Sequence, residues 1–314
     1  MRLRDGVAMT PVEATMRSGG AARTVQLLAH GCTPYSIRKA VEDGALVRVS
    51  RGAYVLPDAE PATLLAMRLG AGITCLTALA HYGLPIPTRP AETHLAVPRN
   101  FTQGAGQNAC GARLHYMASR PVAGAVASVA DALDCAGACL SEEWHLAAVD
   151  AALHEGLITM ADVMRFKRTT VARRTFLLTY ADPRAEAPGE SIVRLRLARA
   201  GLSVTPQAYV EGAGHVDLEV EGLLILQVDG FEPHSGRKAF VRDRAKSRAV
   251  IKAGRPQLTY AASELLGYYS ADVVGEVRDA LDQWRARDLA AVRPSGRRIL
   301  HIQREEVSNL PRGT

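Results

Sequence analysis

"HVDLEVEGLLILQVDG", residues 215–230, reads as two strands joined by a short turn. His215, Asp217 and Glu219 alternate with Val216, Leu218 and Val220, the period-two pattern of a strand with one apolar face. In the second strand Leu223, Ile225, Gln227 and Asp229 share a face. Polar groups in buried strands cost free energy unless they are paired or hold an ion. Their faces depend on the turn. A two-residue turn at Glu221-Gly222 separates Asp217 from Gln227 and Asp229. A three-residue turn, Val220-Glu221-Gly222, sets Asp217 opposite Ile225 and unites all three on one side. Gly222 suits the left-handed position of that turn, so a single polar cluster is expected, with Glu190 reaching it from the preceding helix.

The flanks extend the pattern. The Pro- and Ala-rich "ADPRAEAPGES" forms a joint, and "ESIVRLRLARAG" is a helix with Glu190 in its first turn and Gly201 at its end. "LSVTPQAYV" is a strand before the hairpin, and "QLTYAASEL" a strand and helix start after it. Between them lies the basic helix "GRKAFVRDRAKSRAVIKAG", with Val241, Ala245 and Ala249 as its expected packing stripe. From 237 to 255 eight Lys or Arg face one acid, Asp243, a concentration that favours a polyanion such as nucleic acid. This domain is expected over 186–285, followed by a basic tail, 286–314.

A chain of 314 residues with 47% hydrophobic content exceeds one ordinary core. No apolar run reaches the roughly 18 residues of a membrane span. The first 20 residues lack a signal peptide's apolar core and read as a disordered arm. Five cysteines, at 32, 75, 110, 135 and 139, have no disulfide-like spacing and suggest a reducing cytoplasm. Cys135 and Cys139 suit one helix face, but a metal site needs two more ligands and the sequence places none beside them. His81, His94, His115, His145 and His154 are scattered without ligand spacing and read as surface or packing residues.

Residues 21–58 read as a winged helix. Ala21–Ala29 is a short helix, Thr33 and Pro34 open a second, and "ALVRVS-RG-AYVLP" is a hairpin. The second helix would enter the major groove of double-stranded DNA with Tyr35, Ser36, Arg38 and Lys39, while Arg51 at the turn touches backbone or minor groove. Residues 61–180 alternate helical and strand patterns, with Ser128, Ser141 and Thr159 as helix caps. The expectation is an α+β, multidomain chain: an N-terminal winged helix, a mixed α/β middle segment and a C-terminal α/β domain.

"GALVRVSRGAYVLPD" resembles the winged-helix start of AbiEi-type antitoxins, transcriptional regulators of type IV toxin–antitoxin systems, and the middle segment is similar to the part that follows it there. The resemblance implies autoregulatory DNA binding and a cognate toxin as partner, with a homodimer as a further expectation. The acid, Asp and polar-x-polar order, with "PGES", "VDL", "VDG", His234 and "DRAKSR", resembles the PD-(D/E)xK nucleases, nearest to very-short-patch-repair endonucleases, and marks the last domain as restriction-endonuclease-like. That resemblance implies Mg²⁺ held by Asp217, Asp229 and Glu190. Gln227 falls where the family has Glu, His234 shuttles a proton, and Lys238, Arg242 or Lys246 meets phosphate. A neutral Gln227 weakens metal binding. Two functions follow: a DNA-binding regulator with a degenerate or weakly active nuclease fold, or a metal-dependent endonuclease in defence or repair.

Overall fold

A computed structural model describes residues 9–102, 109–119, 121–229, 237–266 and 271–292, with the side chains of 237–243 and 288–292 excluded. His234 and the basic tail beyond 292 therefore lie outside the described residues. The chain is α+β and divides into two compact units, 1–192 and 193–314.

The first unit opens with α1 (Pro11–Arg17), β1 (Ala21–Arg23), α2 (Thr24–Ala29), α3 (Pro34–Glu42), β2 (Val47–Ser50) and β3 (Ala53–Val55). The strands form an antiparallel sheet in the order β1-β3-β2. Helix, strand, two helices and a hairpin is winged-helix connectivity. From residue 9 onward the opening segment is not the expected disordered arm, and residues 1–8 lie outside the described residues. Thr10 and Glu13 close a capping box around Pro11, and Ala14 packs with Ala22, Leu27, Cys32 and Ile37. The expected helix over Ala21–Ala29 is also corrected, because Ala21–Arg23 pairs with Val55–Ala53 and only Thr24–Ala29 is helical. Thr33 caps α3 as expected, its Oγ1 accepting the Ser36 N–H at 3.1 Å.

The unit continues through α4 (Pro61–Leu69), β4 (Gly72–Ile73), α5 (Cys75–His81), β5 (Thr93–Pro98), β6 (Ala112–Met117), α6 (Val129–Ala136), α7 (Glu142–His154), α8 (Met160–Met164) and α9 (Val171–Tyr180). β4, β5 and β6 form a second sheet in which β5 and β6 run parallel. Ser128 and Ser141 cap α6 and α7. Asp134, buried near the end of α6, accepts the N–H groups of Lys167, Arg168 and Thr169 at 2.7–3.0 Å. Those bonds compensate a buried carboxylate and tie the approach to α9 down onto α6.

α10 (Pro188–Arg199) spans the division between units. The second unit then runs β7 (Val204–Val210), β8 (Gly214–Val220), β9 (Leu224–Asp229), α11 (Arg237–Lys252), β10 (Gln257–Ala261), α12 (Ala262–Leu266) and α13 (Val273–Val292). Its sheet has the order β10-β9-β8-β7. β7, β8 and β9 form an antiparallel meander, and β10 returns parallel to β9 after α11. Leu218, Val220, Leu224, Leu226 and Val228 pack on one side with Val193, Leu197, Tyr260, Val277 and Leu281. Val250 of α11 packs with Ile225.

Among the described residues no helix is long and apolar enough to cross a membrane.

His145 on α7 is fully buried, with Nε2 3.0 Å from the Leu133 carbonyl. Burial first, and then Arg173, push it from 6.5 down to about 4. The unfolded chain takes up this proton near 6.5 and the folded chain only near 4, so stability is lost as pH falls through that window. By about pH 5 the loss is on the order of 2 kcal/mol. Urea melts of a Trp284→Phe protein, read at Trp144, should show it. His145→Gln, which keeps an N–H for Leu133, should flatten the acid limb.

Candidate functional site

The α3 face is built by the cap and the buried Ile37. With Ile37 inward, Tyr35, Arg38 and Lys39 are exposed. Lys39 Nζ lies 3.2 Å from Asp43 Oδ2, an exposed i,i+4 pair that is readily exchanged for a phosphate. Ser36 is different from its expected role. Its hydroxyl donates to the Thr33 carbonyl at 2.9 Å and accepts the Thr33 N–H at 3.0 Å, so it maintains the helix start. Arg51 is exposed at the tip of the β2–β3 hairpin. Gly52 beside it has φ +69°, and a Cβ there would stand 3.1 Å from Thr24 Oγ1. Its carbonyl accepts the Thr24 N–H at 3.0 Å, fastening the wing to the start of α2. Arg38, Lys39 and Arg51 thus sit on a rigid helix and a tethered turn.

In the second unit the hairpin departs from the expected register. Val220 pairs with Leu224, Glu219 with Ile225 and Leu218 with Leu226. The loop is Glu221-Gly222-Leu223, with Glu221 at φ +55° and Gly222 at φ +66°. Asp217 therefore lies across from Gln227, not Ile225. The shift is two residues, so the faces are preserved and Asp217 and Gln227 remain on one side.

That side is covered by α11. Asp217 Oδ2 accepts the Val228 N–H at 2.8 Å, and Oδ1 lies 3.6 Å from Lys246 Nζ. Glu219 pairs with Arg255, whose Nε donates to the Leu223 carbonyl at 2.8 Å. Burial raises the Asp217 carboxyl above its usual range, opposed by the Val228 N–H and Lys246. Gln227 is buried, and its amide nitrogen has no hydrogen-bond partner among the described residues. Asp229 is exposed at the end of β9. Glu190 is buried in α10 and accepts the Glu186 N–H at 3.1 Å.

Two expectations change here. Ala245 is exposed, so the inward side of α11 runs through Lys246 and Val250 and not through the expected alanine stripe. Lys246 consequently faces a carboxylate, and Arg255 faces another, so these two cations of the basic segment are neutralised internally. Arg244, Arg248 and Lys252 remain exposed. The side chains of Lys238 and Arg242 lie outside the described ones.

Mg²⁺ requires near-octahedral oxygen ligands at about 2.0 Å. This sheet suits it poorly. Both Asp217 oxygens have protein partners, Lys246 supplies the counter-charge, and Gln227 is neutral. Neither Asp217 nor Asp229 belongs to a group of three ligating side chains at metal spacing among the described residues.

The structure does gather residues that read as scattered. Cys75, His94, His115 and Cys139 each offer a ligand atom within 4.8 Å of the other three. Burial, then His115 and Arg113, push His94 down to about 4, so its imidazole is neutral. Cys75 and Cys135 share a hydrogen bond that raises the first thiol and lowers the second. The Cys135/Cys139 spacing was the single local signal for this group.

The Asp217–Lys246 pair is partly buried, with side chains 18% and 25% exposed. Lys246→Met strands a desolvated carboxylate and should cost about 1–3 kcal/mol. Asp217→Asn, which keeps an acceptor for Val228, should recover most of that loss in the Lys246→Met background. A double-mutant cycle by denaturant melting should give a coupling of about 1 kcal/mol, and additive changes would show the pair to be inert.

Residues 10–57, from the cap of α1 to the end of the wing, match the family model described as "Transcriptional regulator, AbiEi antitoxin". No curated protein matches the chain. The winged-helix segment is thus similar to the antitoxin regulators.

Proposed function

We propose that this chain is a DNA-binding transcriptional regulator of the antitoxin or repressor type, reading duplex DNA through its first 57 residues. The observation that carries this is the coincidence of the AbiEi match with a complete winged helix presenting Tyr35, Arg38, Lys39 and Arg51 to solvent. α3 would lie in the major groove, with Tyr35 and Arg38 towards base edges and Lys39 on phosphate. Arg51 would follow the backbone from the wing. A duplex site of two half-sites would call for a homodimer, and a cognate toxin protein is the second partner that the AbiEi likeness suggests.

The C-terminal unit would serve as a platform for binding and not as a working nuclease. Asp217 is engaged by Val228 and Lys246, and Gln227 supplies no charge. Exposed Arg244, Arg248 and Lys252 would add sequence-independent attraction to phosphate, which needs no metal.

A gel-shift titration on DNA carrying the gene's own upstream region tests the reading. Wild type should give a discrete complex that needs no added Mg²⁺ or Mn²⁺. Arg38→Ala/Lys39→Ala should abolish the footprint, and Arg51→Ala should weaken binding and reduce the salt slope by about 1. Cleavage with Mn²⁺ that Asp217→Ala eliminates would overturn the regulator reading in favour of an endonuclease.

A further inference from the structure

Three thiols and two imidazoles converge in the middle of the first unit, from four separate stretches of chain. Cys75 opens α5, His94 is on β5, His115 is on β6, and Cys135 and Cys139 lie at and just beyond the end of α6. Parallel pairing matches Ala96 with His115, which places His94 and His115 one step apart on the same sheet face. Their rings stack with centroids 5.2 Å apart, and His94 Nδ1 stands 3.1 Å from His115 Nε2. Two imidazoles on one tetrahedral zinc, bonded at about 2.0 Å, would hold their nitrogens about 3.3 Å apart. The observed spacing already approaches that of a shared ion.

The surroundings match this spacing. Cys75, His94 and His115 are buried, and Cys139 is half-buried. Cys75 holds φ +52°, left-handed backbone that a non-glycine residue adopts at a cost. Its sulfur lies within 4.8 Å of a ligand nitrogen on each ring. Cys75, Cys135 and Cys139 are free thiols, so no disulfide explains the grouping.

We propose that Cys75, His94, His115 and Cys139 form a structural zinc site, with Cys135 as a sulfur neighbour that is not a ligand. Two thiolates and two imidazoles in tetrahedral reach select zinc over hard cations such as Mg²⁺. Four protein ligands fill the coordination shell and leave no position for substrate, so the ion is a staple. It joins α5 to both parallel strands and to the turn after α6. β6 gains most, because among the described residues β5 is the one strand it pairs with.

Full-length protein purified without chelator or added metal should carry about one zinc per chain, measured by elemental analysis. Cobalt added to metal-free protein should give tetrahedral ligand-field bands with sulfur-to-cobalt charge transfer, saturating at one equivalent. Cys75→Ser and Cys139→Ser should lose the metal, while Cys135→Ser and His94→Cys, the latter exchanging one zinc ligand for another, should keep it. Absence of both zinc and the cobalt spectrum would overturn the proposal, as would a Cys75–Cys135 disulfide found by mass spectrometry. Retention of full zinc in Cys75→Ser would do the same. The cobalt spectrum of wild type decides the matter if the serine variants do not fold, since the carboxylates near Asp217 cannot produce a sulfur band.

Discussion

The second unit depends on parity. β8 and β9 can slide against each other, but only even steps keep Asp217 and Gln227 on the α11 side and Leu218, Leu226 and Val228 in the core. The loop Glu221-Gly222-Leu223 sets that parity with two consecutive left-handed residues. Given this register, α11 can lay Lys246 and Arg255 over Asp217 and Glu219, and β10 can join β9 in parallel with Thr259 beside Gln227. A step of one residue would bury the acids among leucines and expose the core.

Much of the winged helix was legible because its signals are local. Thr33-Pro34 marks the start of α3, Gly44 its end, and Arg51-Gly52 the wing. What was missed there is non-local. Ala21–Arg23 has the composition of a helix and becomes a strand only because Val55–Ala53, some thirty residues later, offers it a ladder. α1 reads as a free arm in the sequence because its buried stripe is only Pro11, Ala14 and Thr15, too small to stand out until Leu27 and Ile37 surround it.

The candidate sites divide in the same way. The common face of Asp217 and Gln227 was readable from strand period together with a three-residue turn, whereas the exact partner across the hairpin was not, because it rests on which residues turn left-handed. The partner of Asp217 also could not be read, since the rotation of α11 that brings Lys246 inward follows from Val250 meeting Ile225. The thiol and imidazole group was least legible. Cys75 and Cys139 are brought together by α5 packing on α6, and His94 meets His115 only through parallel strand pairing. No spacing rule encodes either event.

The hairpin loop carries a consequence for how this unit can vary over evolutionary time. Without a compensating bulge, a residue gained or lost inside β8 or β9 turns the residues beyond it to the other sheet face, while one gained between Val220 and Leu224 merely lengthens the loop. Lineages descended from this fold are therefore free to drift in the length of this loop, but not in the number of residues within the paired strands. A carboxylate beneath α11 can be inherited or replaced in place, but it cannot migrate gradually from one side of the sheet to the other.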